Sequence, residues 1–397
     1  VTPHALALAL AAESATTLLA VAGMAYFLAA MFAAQVYLRE RRKKLVEFAP
    51  GVTILKSLKG LDPAMLEAFR THCRQSYTGE YEILFGVADA EDPAVEAVER
   101  LRKEFPDHAI RLLLCPEKLG TNGKVSTLVQ MEREARYDYL LVNDSDIAVS
   151  PHYLERVMTC FAPVAGQPQV GLVTALYRGR AHGSIWSRLE SLGICTDFQA
   201  GVLLSKMIEG GLHFGLGSTL AVHRPALQAA GGLIGLVDQL ADDYEMGARV
   251  DKAGYRIALC SDVVETSIPA YNWRGFVDHQ LRWLRTVRDA RPGGYFGLVF
   301  THGLGWAFLN LIASGVSPLS VWIFAMSLFL RLAMAMRVGS SVLSDHQLIE
   351  GLILVPLRDL LQMGLWIAGL AGNTIVWRGQ RFALKDGKLM GMAGERS

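Results

Sequence analysis

The sequence predicts an α/β domain, a mainly parallel sheet covered by helices, held between apolar segments long enough to cross a membrane. Three observations carry this. Short β-rich runs alternate with longer helical patterns from about residue 47 to residue 291. Residues 15–38 carry no charged side chain. Three further apolar runs, 295–313, 316–329 and 352–376, fill the last quarter. Apolar residues make up 51% of the 397 and charged residues 19%, with a mean hydropathy of +0.26. That is more apolar than a soluble domain.

Residues 15–38 exceed the roughly 20 apolar residues needed to cross a hydrocarbon core. Arg39, Arg41, Arg42, Lys43 and Lys44 follow at once, and no Lys or Arg comes before. A cleaved signal has the reverse order, so this reads as a retained anchor. The basic cluster places the next domain in the cytoplasm and against anionic headgroups. Strands are expected at 52–55, 81–88, 110–114 and 139–142, with helices at 63–73, 91–105 and 123–135 between them. In such sheets ligands sit at the C-terminal ends of the strands, where Asp89 and Asp144-Ser145-Asp146 fall.

Residues 171–262 are less regular. Tyr177-Arg178-Gly179-Arg180, with Gly183, reads as a loop. Residues 186–204 read either as a core helix or as a surface over which a lipid slides. After Trp283, Arg291-Pro292-Gly293-Gly294 starts an interfacial helix. Trp377-Arg378-Gly379-Gln380-Arg381 and Lys385 place the C-terminus in the cytoplasm. An outside N-terminus then requires an odd number of crossings, so one of the three late apolar runs is re-entrant or paired. Arg358-Asp359 lies inside the last run, either as ionic glue between helices or as a contact to a lipid substrate. The expected divisions are an anchor at 1–44, a cytoplasmic domain at 45–293, membrane helices at 294–377 and a cytoplasmic tail at 378–397.

A net charge of +1 gives no field for nucleic acid. Five cysteines with no C-x-x-C pair argue against a disulfide framework or a zinc site, and read as reduced thiols.

The acids carry the chemistry. Asp144 and Asp146, one residue apart at a strand end, can hold a hard divalent cation that bridges a nucleotide diphosphate; a solvated turn is the ordinary role. Asp89 can accept hydrogen bonds from uracil or ribose. Asp242-Asp243 opens a helix, where an acid either caps the helix or takes the proton from an attacking hydroxyl. Gln280-Leu281-Arg282-Trp283 suits a departing diphosphate: Arg282 offsets its growing charge, Gln280 donates a hydrogen bond and Trp283 offers a flat wall. As an isolated short string it is more often amphipathic helix surface. His279 and Arg285 are secondary candidates. Lys56 and Lys59 follow the first strand, and Gly120-Thr121-Asn122-Gly123-Lys124 precedes a helix, both suited to phosphate or nucleotide contact. Gly215 to Thr219 is either a tight turn or a place where a sugar approaches backbone.

The series Asp89, Asp144/Asp146, Asp243 and Gln280-Leu281-Arg282-Trp283, with residues 55–62 and Asn122-x-Lys124, resembles the ceramide glucosyltransferase family, glycosyltransferase family 21. Residues 176–180, 356–359 and 377–379 are most similar to its hopanoid-biosynthesis branch. The resemblance implies a GT-A (nucleotide-diphospho-sugar transferase, Rossmann-like) domain with N-terminal and C-terminal transmembrane helices. It also implies a UDP-sugar donor, a Mg2+ or Mn2+ ion and inverting transfer to a lipid hydroxyl. Carried over, Asp89 contacts nucleotide, Asp146 with Asp144 binds metal-diphosphate, Asp243 is the base, and Gln280, Arg282 and Trp283 serve diphosphate and acceptor. Lys56 and Lys124 remain nucleotide-side contacts. The hopanoid branch implies GlcNAc transfer from UDP-GlcNAc to bacteriohopanetetrol at the bacterial inner membrane. Ser57, Gly123 and Ser126-Thr127 stand where the family usually has proline, proline and a nearby asparagine. A ceramide glucosyltransferase, a processive polysaccharide synthase and a non-catalytic membrane scaffold are the rival readings. The oligomeric state is not fixed by the sequence.

Overall fold

The computed structural model describes residues 2–42, 46–377 and 380–391. The chain divides into two compact units. One, the sheet unit, takes residues 41–182, 208–269 and 387–397. The other, the helical unit, takes residues 1–40, 183–207 and 270–386. The division falls inside the 45–293 stretch, because residues 183–207 and 270–293 group with the terminal helices.

In the sheet unit the strands are β1 (Val52–Leu58), β2 (Tyr81–Val87), β3 (Ile110–Leu114), β4 (Tyr139–Val142), β5 (Val170–Ala181), β6 (Leu220–His223) and β7 (Arg256–Ile268). Their order is β3-β2-β1-β4-β6-β5-β7. All neighbours are parallel except that β6 runs against both β4 and β5. The chain builds outward from β1 to β3 on one side, then returns to place β4 on the other. The switch point therefore lies between the C-terminal ends of β1 and β4, where a parallel sheet opens a crevice. β1 is buried on both faces except at Ser57, as helices on both sides require. Phe69, Val98 and Leu101 from the helices pack on Ile54, Phe85 and Leu141 from the strands.

β3 and β4 occupy the expected residues. Two readings are corrected. β1 continues to Leu58, so Lys56 lies within the strand, not after it. Tyr177 to Arg180 is not a loop but the outer part of β5, in register with Val264 to Ser267 of β7. Arg178 stands opposite Glu265 and donates to it at 2.9 Å. That cross-strand pair supports polar residues in a strand. None of the five cysteines, all among the described residues, is joined in a disulfide, and four of them are buried.

Among the described residues of the helical unit three helices are long and apolar enough to cross a membrane: Pro3–Glu40, Pro318–Val342 and Leu348–Gly369. Pro292–Thr301 and Gly303–Ala313 form a pair bent by 55°, either a broken span or a re-entrant segment. Helices approach through small residues. A Cβ on Gly23 would lie 2.1 Å from the Gly303 Cα, so these two backbones touch. Asn310 donates to Thr17 at 2.8 Å beside that contact. The last apolar run ends its helix at Gly369 and turns into β8 (Thr374–Trp377), which pairs with β9 (Gln380–Lys385). Arg378 and Gly379 of the basic cluster lie outside the described residues.

Candidate active site

Six charged side chains gather at the C-terminal ends of β1 and β4. β4 aims the chain into Asn143-Asp144-Ser145-Asp146. Asn143 is buried and donates to the Ser218 carbonyl at 2.6 Å and to the Tyr153 hydroxyl at 3.0 Å, which fixes the start of the turn. The Asp144 side chain stays 44% exposed and meets the Lys124 ammonium at 2.7 Å. Asp146 accepts from the Thr266 hydroxyl at 2.5 Å and the Ser267 N–H at 2.9 Å, both on β7. Burial, and then Asp144 beside it, push the Asp146 carboxyl up to about 6.

Lys124 enters from the start of the Gly123–Glu134 helix. Asn122 caps that helix, accepting from Val125 N–H at 3.2 Å, and donates to the Gln239 carbonyl at 2.8 Å. Thr121 donates twice to Asp238, at 2.9 and 3.0 Å. The loop is thus pinned to residues 238–239, and Lys124 spans from Asp144 to Asp242, 3.6 Å away. Burial acts against the Lys124 charge, but Asp144 and Asp242 outweigh it and raise its pKa well above the usual lysine range.

Asp243 follows in the first turn of the Asp242–Lys252 helix. Burial, then its neighbour Asp242, push it up to about 6, with Lys124 opposing. Gly215 and Gly217 make room for it. A Cβ on Gly217 would stand 2.9 Å from the Asp243 Oδ2, and one on Gly215 2.9 Å from its carbonyl oxygen. The 215–219 segment is a turn closed between Leu216 and Thr219, and Thr174 ties it down by donating to the Thr219 carbonyl at 2.8 Å. Gly217→Ala is therefore expected to displace the Asp243 carboxylate by a few tenths of an ångström. Activity should fall by about a hundredfold while the thermal midpoint hardly moves, as paired turnover and unfolding measurements would show.

Lys56 is fully buried beneath this group and donates to the Asp144 carbonyl at 3.0 Å. Burial draws it down to about 7, with Asp146 and Asp144 opposing. It supports the acidic turn from below. Asp89 lies exposed beyond β2 and accepts from the Glu91 N–H at 3.0 Å, a local turn.

A hard cation taken up with a diphosphate uses one or two carboxylates and keeps its remaining ligands as phosphate and water. Asp144 and Asp146 suit that role: adjacent acids at a strand end, one exposed and one crowded enough to hold a proton. Among the described residues no group of three or more His, Cys, Asp or Glu could form a protein cage. Two carboxylates are enough for an ion that keeps phosphate and water as its other ligands.

Gln280, Arg282 and Trp283 belong to the helical unit, on the Trp273–Ala290 helix. Gln280 is buried, and the Trp283 ring lies 5.9 Å from Phe198 and 5.3 Å from His279. His279 meets Glu190 at 3.1 Å, and Glu190 is buried. Arg285 is committed elsewhere: it binds the Ala371 carbonyl at 3.0 Å and the Thr374 carbonyl at 2.5 Å. With Arg288 it anchors the helix to the 369–374 turn.

Sequence spacing missed Thr266 and Ser267, which hold Asp146 from 120 and 121 residues away, and Glu190, 89 residues before His279. None sits in a recognisable string.

The profile of "Glycosyl transferase family 21" matches residues 15–390. The chain belongs to glycosyltransferase family 21. Two Caenorhabditis elegans relatives, ceramide glucosyltransferases 3 and 1, are 27% and 22% identical over 364 and 351 residues. Each alignment covers 85% of this chain, and 73% and 72% of theirs. A ceramide glucosyltransferase of Komagataella phaffii is 32% identical over 110 residues, 27% of this chain and 21% of its own. A mannosyltransferase from Pyrobaculum calidifontis, solved with GDP-Man and Mn2+, aligns over 89% of this chain and 97% of its own, at TM-score 0.48 and 17% identity. This family 21 protein is a glycosyltransferase, and it has the mixed, mainly parallel α/β sheet and the apolar helices that the sequence predicts.

Proposed function

We propose that this family 21 glycosyltransferase moves one sugar from a UDP-sugar to a lipid hydroxyl, with GlcNAc from UDP-GlcNAc passing to bacteriohopanetetrol. The observation that carries the reading is the cluster at the β1/β4 switch point: paired acids for metal-diphosphate beside a separate acid, Asp243, cradled by glycines. Asp243 takes the proton from the acceptor hydroxyl. The hydroxyl oxygen bonds to the anomeric carbon as its bond to the β-phosphate breaks, UDP leaves, and the configuration inverts. Asp144 and Asp146 would hold the Mg2+ or Mn2+ ion, which neutralises diphosphate charge when bound. Asp89 contacts the nucleotide, and Lys56 keeps the acidic turn in place while Lys124 balances its charge. Arg282 and Gln280 stabilise the departing diphosphate, and Trp283 packs against the acceptor.

Three candidate spans support a membrane setting, with the sheet unit on the cytoplasmic side of the bacterial inner membrane. The hopanoid acceptor rests on residues 176–180 and 356–359 and their likeness to that branch. Ceramide with UDP-glucose is the second reading, favoured by the relatives that match most of this chain. Purified protein supplied with both UDP-sugars and both lipids should yield a GlcNAc-hopanoid by mass spectrometry. Glucosylceramide alone would replace the acceptor and donor, and polymer formed without lipid would favour a polysaccharide synthase.

A further inference from the structure

The helical unit holds a closed, neutral charge network. Arg331, 1% exposed, donates to Asp359 from Nε at 2.6 Å and from Nη2 at 3.0 Å. Arg358 donates to Asp197 at 2.8 Å and to Asp359 at 3.3 Å. Residues Ile194–Phe198 form a π-turn, a widening common at functional sites. Thr196 in that turn receives Arg331 on its hydroxyl at 3.0 Å and on its carbonyl at 3.3 Å. Two cations and two anions satisfy one another. Arg358-Asp359 is therefore ionic glue, and the network itself asks for no ligand.

The side chains around it do. Gln199 and Ser327 are 0% exposed and His302 is 6% exposed. Both amide atoms of Gln199, the Ser327 hydroxyl and the His302 Nε2 have no hydrogen-bond partner among the described residues. Buried polar atoms are seldom left bare. Their positions point to one neighbourhood. Gln199 follows directly on the Ile194–Phe198 turn that carries Thr196, three residues further along the chain. Ser327 lies one turn before Arg331 on Pro318–Ala335. His302, at the break of the bent pair, feels the charges of Asp197, Arg358 and Asp359.

We propose that Gln199, Ser327 and His302 line the subsite for the headgroup of the lipid acceptor, and that this headgroup is neutral and hydroxyl-bearing. Charge balance in the network disfavours an ionic ligand. An amide and a hydroxyl, each able to donate and accept, match groups that also do both, as sugar-like hydroxyls do. Burial among membrane helices selects a lipid over a free polyol. This rests on the lipid-acceptor reading and adds the residues that choose the acceptor.

The test is Gln199→Met, close in volume and apolar, together with Ser327→Ala. Each should raise the KM for bacteriohopanetetrol about tenfold, the value of roughly one hydrogen bond. The UDP-sugar KM should stay within about twofold, and the thermal midpoint should be unchanged or higher, since a bare polar group has been removed. An unchanged acceptor KM in both variants would overturn the subsite and leave only trapped water there. Should the variants fail to fold, wild-type protein in detergent gives the answer. Bacteriohopanetetrol should raise its thermal midpoint and a hopanoid lacking hydroxyls should not; equal shifts would overturn the proposal. If neither lipid is glycosylated by wild type, the transfer reading fails separately, because the thermal comparison reads binding without turnover.

Discussion

Asp243→Asn is expected to lower kcat about a thousandfold while binding of UDP-sugar changes less than about twofold. The amide keeps the shape beneath Gly215 and Gly217 but cannot accept the proton. Calorimetry with UDP and single-turnover kinetics separate the two effects. Full activity in this variant would favour the scaffold reading. The pH profile should agree. Asp243 and Asp146 are both pushed up to about 6 by burial first and a neighbouring acid second. Each must be ionised to work, so activity should fall as pH drops through about 6. The stability linkage has the opposite sense. Their folded pKa values exceed the ordinary carboxyl value of 3.8. The stability they contribute is thus fully present below about 4 and is lost as pH rises through about 6. Asp243→Asn should flatten part of that slope.

Asp359→Ala should destabilise the helical unit by about 3–5 kcal/mol, because it leaves the buried Arg331 without its carboxylate. Arg331 loses both close contacts to Asp359 and keeps only Thr196, whereas Arg358 keeps Asp197. Removing both partners, as in Arg331→Met with Asp359→Leu, should restore most of the loss, since no bare charge remains. Thermal unfolding in detergent checks both. Equal damage in the single and double variants would mean the network's worth lies outside this pair.

The sheet was legible where local pattern decides structure. Residues 110–114 and 139–142 are short apolar runs bounded by breakers, and they are strands to the residue. Tyr177 to Arg180 was not legible, because two arginines and a glycine look like a loop until Glu265 stands opposite. The acids of the site were visible as strand-end and helix-start carboxylates. Their supports were not, since Thr266, Asp238 and Gln239 come from distant segments and carry no spacing of their own. Lys56 looked like a loop lysine aimed at phosphate, and only the continuation of β1 shows that it lies under Asp144. Arg331 interrupts an apolar run without any local sign that Asp359 will meet it.

The anomeric configuration of the product tests the account most directly. Lipid formed by the purified protein from an α-linked UDP-sugar can be read by proton NMR coupling at the anomeric carbon. A single β-linked sugar on the lipid hydroxyl, absent with Asp243→Asn, is the predicted result. An α-linked product would require a covalent or front-face route and would contradict direct attack assisted by Asp243.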